Sequence, residues 1–101
     1  MSEFSKILII IMKQIPYGKV ASYSQIAALG GNRKAARQVS RLLHSASEKY
    51  NIAWHRIINS QGKISLPPGR GFEMQQSMLE NEGITVHNGK VDLKKYQWQK
   101  F

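Results

Sequence analysis

The spacing of apolar residues places the first element before any chemistry is considered. Ile7-Leu8-Ile9-Ile10-Ile11-Met12 lies in a stretch that predicts a helix over 4–14, and its continuous apolar run implies deep burial. Ile15-Pro16-Tyr17-Gly18 stops that helix, because proline removes a donor and glycine permits a turn. Ser22-Tyr23-Ser24-Gln25 has the form of a capping box and opens a short helix through Leu29, closed by Gly30-Gly31. Asn32 then caps a third helix over 32–45. At about 100° per residue, Ala35, Ala36, Val39, Leu42 and Leu43 share a side that should face the core. Lys34, Arg37, Gln38 and Arg41 cluster on the opposite side. Two helices joined by a glycine turn are the signature of a helix-turn-helix.

Downstream the elements are shorter. Ile57-Ile58-Asn59 and Lys63-Ile64-Ser65 flank Ser60-Gln61-Gly62 and predict a small hairpin, the wing of a winged helix. Leu66-Pro67-Pro68-Gly69-Arg70-Gly71 is a stiff loop. A fourth helix is expected over 72–81, ended by Gly83, and Asn88-Gly89 sets a tight hairpin between Val86 and Val91. In the basic tail, Tyr96, Trp98 and Phe101 are expected to pack back on the domain; the alternative is that these rings stack on bases. The predicted fold class is mainly α with short β hairpins, a winged-helix-like DNA-binding domain.

Length and composition set the outer bounds. A chain of 101 residues with 42% hydrophobic content predicts one domain over 1–101 with a modest core. No apolar stretch approaches the roughly 18 residues of a membrane span. The N-terminal apolar run is short, follows Glu3 and lacks a small-residue cleavage site, so the expectation is a cytoplasmic, nucleoid-associated protein without a membrane partner; a monomer is expected as well. Fifteen Lys and Arg against six Asp and Glu give +9, which calls for a polyanionic partner, nucleic acid being the commonest. The cations of the third helix agree, carrying no acid among them, although most such stripes are simply solvated. His44, His55 and His87 show no ligand spacing, so neither a metal nor another cofactor is expected.

The candidate chemistry centres on Ile52-Ala53-Trp54-His55-Arg56-Ile57. This run resembles the active-site strand of O6-alkylguanine-DNA alkyltransferases, whose Pro-Cys-His-Arg motif supplies the thiolate that accepts the alkyl group. Here tryptophan fills the cysteine position, alanine the preceding proline position, and the chain has no cysteine at all. An indole cannot replace a thiolate as nucleophile. The resemblance extends through Ile15-Pro16-Tyr17-Gly18-Lys19-Val20, Ser22-Tyr23, Ala27-Ala28, Gly31-Asn32, Lys34-Ala35-Ala36-Arg37, Gly62 and Glu82-Gly83, in order, over about residues 4–83. The N-terminal extension of many full alkyltransferases is not seen.

The resemblance implies an alkyltransferase-like protein that binds O6-alkylguanine in double-stranded DNA without removing the alkyl group. It implies minor-groove entry by the recognition helix, with Ser22, Arg33, Lys34, Ala35, Ala36, Gln38 and Arg41 on the DNA. The small side chains Ala35 and Ala36 would allow close approach, at least one of them leaving the core face. Arg37 matches the arginine that fills the stack beside an extruded nucleotide, and Tyr23 the tyrosine that crowds its phosphate. Trp54 would wall the flipped-base pocket, with Tyr23, Ala53, Pro67 and Pro68, while Arg70 caps the guanine ring. His55 and Glu82, void as activators of a thiol, would remain a buried hydrogen-bonded pair. A hand-off to the damage-recognition proteins of nucleotide excision repair is also implied. Two rivals use the same residues differently. A winged-helix transcriptional regulator would read a defined major-groove site, and an enzyme built on His55 and Glu82 would need a nucleophile or metal that the sequence does not supply.

Overall fold

The computed structural model describes residues 1–99; Phe101, expected to pack on the domain, lies outside them. Helix α1 spans Glu3–Lys13, capped by Ser2, whose hydroxyl accepts from the Ser5 amide at 3.0 Å. Its apolar run is buried on one side only. Leu8, Ile9 and Met12 enter the core, whereas Ile7 and Ile10 are 39% and 57% exposed. A helix on the outside of a small domain has one face to bury, so a continuous run must leave some members in solvent.

Strand β1 (Ala21–Ser22) leads directly into α2 (Tyr23–Leu29). The expected capping box is present: Ser22 Oγ accepts from Gln25 N at 3.0 Å, and the Gln25 side chain accepts from Ser22 N at 3.3 Å. The turn to the next helix is longer than the sequence pattern suggests. Asn32 does not cap that helix; its Oδ1 accepts from Lys34 N and its carbonyl from Ala35 N, forming a turn, and α3 runs Ala36–Ala46. The faces of α3 fall as expected: Val39 and Leu43 are buried, Leu42 is half-buried, and Arg37, Gln38 and Arg41 are exposed.

The 57–65 hairpin does not form. After a 3-10 turn over Trp54–Arg56, strand β2 (Ile57–Ile58) pairs in parallel with β1, Ala21 opposite Ile57 and Ser22 opposite Ile58. Both isoleucines are buried, which a two-sided internal position satisfies and a solvent-facing wing does not. The 59–62 turn still closes, with Asn59 N donating to Lys63 O at 3.1 Å. The chain then leaves to bridge Lys63 antiparallel to Lys90.

Helix α4 (Phe72–Asn81) and the hairpin of β3 (Val86–His87) and β4 (Lys90–Val91) match their sequence signals. Asn88 and Gly89 both have positive φ, 51° and 72°, as a type I′ turn requires. Helix α5 (Leu93–Tyr96) closes the described chain. Val20 N donates to Tyr96 O and Trp98 N to Val20 O, so the tail lies along β1. Tyr96 is 8% exposed and Trp98 packs on the core, which removes both from base stacking. One apolar cluster lies under α1, α2 and α3; a second, including Leu79, Ile84 and Val91, lies under α4 and the hairpin. The Trp54 segment joins the two. No helix among the described residues is long and apolar enough to cross a membrane.

Candidate nucleic-acid interface and base pocket

Tyr23 and Trp54 border one cleft of about 190 Å³. Tyr23 reaches it as the first residue of α2, directly after β1, and Trp54 as the first residue of the 3-10 turn before β2. The β1–β2 pairing holds these two entries together. Leu43, Ile57 and Leu66 add apolar wall, while Ser40, His44 and Ser47 line the cleft from α3. Gln75 is 3% exposed at its base, and its amide donates to the carbonyls of His55 and Ile57 at 3.0 Å each. Those two bonds satisfy one carbonyl of the 3-10 turn and the first carbonyl of β2.

Behind Trp54 lies a compact charged support. The His55 ring meets the indole edge-on, centroids 6.3 Å apart. His55 Nε2 and Glu82 Oε2 are 2.5 Å apart, the buried pair expected from the sequence. Arg56, which sequence reasoning left without a role, holds the same carboxylate: its Nε lies 3.0 Å from both oxygens and its Nη2 2.9 Å from Oε2. Gly18 N donates to Glu82 Oε1 at 2.8 Å, and Arg56 Nη1 to Ile15 O at 2.9 Å. Burial by itself would raise the Glu82 pKa, but bonds from Arg56, the Gly18 amide and His55 overcome it and hold the group down at about 2. A buried carboxylate demands this many donors, and that demand was the available signal for Arg56. Nδ1 of His55 is buried and has no hydrogen-bond partner among the described residues.

The remaining expected residues divide into those the fold gathers and those it does not. Arg33, Lys34, Arg37, Gln38 and Arg41 are exposed on α3 and the turn before it. The ion pairs found among the described residues are both made by Glu82, so these cations have no acid partner there. Ser22 is 4% exposed with its hydroxyl committed to the cap, and Ala35 is 8% exposed in the core; both leave the DNA-facing set, and Ala36 is the small residue at the surface. Ala53 lines a second cavity on the other side of Trp54, together with Met78. Pro67, Pro68 and Arg70 are exposed in the loop before α4 and do not line the cleft; Leu66 is the residue of that loop that does. Ser40, His44 and Ser47 were missed, although their i, i+4, i+7 spacing beside the core stripe of α3 was a readable signal.

A helix-turn-helix with a cationic face, set beside an aromatic-walled cleft, defines a DNA-binding domain with a pocket of its own. The family model described as 6-O-methylguanine DNA methyltransferase, DNA binding domain, matches residues 3–84, and the chain belongs to that family. A DNA base-flipping protein of Vibrio parahaemolyticus is 44% identical over 100 residues, covering 98% of this chain and 99% of that one. Alkyltransferase-like protein 1 of Schizosaccharomyces pombe is 34% identical over 105 residues, covering 98% and 97%. The crystal structure of that protein in complex with damaged DNA containing O6-carboxymethylguanine matches with a TM-score of 0.88 over 99% of this chain and 98% of that chain.

Proposed function

We propose that this protein is a non-enzymatic sensor of O6-alkylguanine in duplex DNA. The observation that carries the reading is Trp54, standing in the cleft beside Tyr23 at the position where the family's motif has cysteine, in a chain with no cysteine. The cationic face of α3 tracks the backbone and enters the minor groove. Tyr23 crowds the phosphate beside the lesion, and Arg37 fills the space the extruded nucleotide leaves. A flat guanidinium suits that place because it stacks and donates together. The base then lies against Trp54, which the His55–Glu82–Arg56 cluster braces. Unstacking costs a few kcal/mol, less for a poorly paired lesion, and contacts in the cleft offset it selectively. Arg70 reaches the base only if the 66–71 loop closes when DNA binds. The bound complex marks the site for nucleotide excision repair in the cytoplasm, the protein acting as one monomeric domain.

The relatives support this reading: one is called a DNA base-flipping protein, and another has been captured on damaged DNA. A transcriptional regulator has no use for a cleft between Tyr23 and Trp54. The deciding experiment titrates the protein against identical duplexes carrying guanine or O6-methylguanine and weighs the recovered DNA. Tighter binding to the lesion, with the methyl group still attached, is expected. Equal affinity, or recovery of unmethylated guanine, refutes the proposal.

A further inference from the structure

Lys63, Lys90 and His87 stand side by side across three neighbouring strand segments. His87 is paired with Lys90 in the hairpin, and Lys90 is bridged on its other side to Lys63. Directly opposed residues leave a sheet on the same face, about 5 Å apart, and like charges placed so are destabilising. All three are exposed, and neither ion pair among the described residues involves them. Lys95 borders the same hollow of about 530 Å³ as His87 and Lys90. The acid there, Asp92, is occupied in capping α5 through the Lys94 amide at 3.0 Å.

The row is contiguous with the cleft. From Lys63 the chain alternates, Ile64 inward and Ser65 outward, so Lys63 and Ser65 share the exposed side. Ser65 Oγ lies 3.4 Å from the hydroxyl of Tyr23. A line of phosphates passing Tyr23 therefore continues over Ser65 onto Lys63 and Lys90. Lysine is a compact point charge on a flexible stem, suited to phosphate contacts that need no fixed geometry.

We propose that the Lys63–Lys90 row is a second DNA-backbone contact, outside the helix-turn-helix, that holds phosphates on one flank of the extruded nucleotide. The proposal rests on the cleft being the flipped-base pocket, and its continuity with Tyr23 favours DNA over an acidic protein segment. The test compares the parent with Lys63→Gln/Lys90→Gln on duplexes with two long flanks or with either flank trimmed, between 50 and 200 mM salt. The log–log salt slope of the variant should be shallower by about 1.8, from two phosphates at roughly 0.9 each. That deficit should vanish when one particular flank is trimmed and persist when the other is, with thermal unfolding no lower than the parent's. An unchanged slope overturns the proposal and leaves the row to an acidic protein partner. A deficit that ignores which flank is trimmed also overturns it, as diffuse attraction. Failure of the parent to prefer O6-methylguanine would refute the sensor reading instead, and the flank assignment with it, while the salt slopes on undamaged duplex still decide whether the two lysines meet phosphates.

Discussion

Arg56 holds Glu82 through both carboxylate oxygens, across 26 positions of sequence, and so ties the Trp54 segment to the end of α4. The Glu82 pKa, held at about 2 against an ordinary 4.5, makes this tie sensitive to acid. A depressed carboxylate contributes stability that is present above its unfolded pKa and lost as pH falls through its folded one. Stability should therefore decline from about pH 4.5 toward pH 2, by an amount of order 3 kcal/mol. Glu82→Gln should lower stability at neutral pH by about 3 kcal/mol, because it strands the guanidinium. Urea melts across this range should show the variant losing most of the acid dependence; a parallel decline in both proteins would remove Glu82 as its source.

Trp54→Ala should cost the lesion complex about 1–3 kcal/mol, the range for losing an aromatic platform beneath a base. Affinity for undamaged duplex should hardly change. Unfolding of the variant would make Trp54 a core residue and not a wall. Trp54→Cys restores a thiol beside His55 in a cleft shaped around an indole, so alkyl transfer is expected to be slow or absent; mass spectrometry of the protein after incubation with O6-methylguanine DNA reads this directly.

Arg37 and Tyr23 should act on extrusion and not on general charge. Arg37→Ala should abolish the fluorescence rise of a base analogue placed opposite the lesion, and Arg37→Lys should recover little, since it lacks the flat cation. Tyr23→Phe removes only the hydroxyl that faces Ser65, so Tyr23→Ala should cost more. Arg37→Lys with parental fluorescence and affinity would reduce Arg37 to a phosphate contact.

Arg33, Lys34 and Arg41 should govern how binding responds to salt. Neutralising any one that meets a phosphate should reduce the slope of log affinity against log salt by about 0.9. The ratio of lesion to plain affinity should survive each change. A steep loss of that ratio would place the residue in discrimination instead of attraction.

What was legible in the sequence was local. The Ser22–Gln25 box, the Asn88-Gly89 turn and helix Phe72–Asn81 are each specified by residues within a few positions of one another. The pairing of Ala21–Ser22 with Ile57–Ile58 joins two-residue strands far apart in the chain, too short for alternation to show. Trp54 and Tyr23 were found through the motif, and the fold does place them on one cleft. Arg70 was assigned by resemblance in a loop whose path depends on Gly69 and Gly71, at φ of 78° and 116°, and sequence alone does not set such a path.

The two-residue parallel ladder between β1 and β2 also has a kinetic meaning. It acts as a fixed calliper: one jaw ends at Tyr23 and the other begins just after the Trp54 turn, so the aperture is set before any DNA arrives. Two aromatic walls held at constant separation do not remodel themselves around each visitor, and only the 66–71 loop has to move. Encounter should then proceed at one speed for damaged and intact duplex alike, and selection should appear in how long each stays.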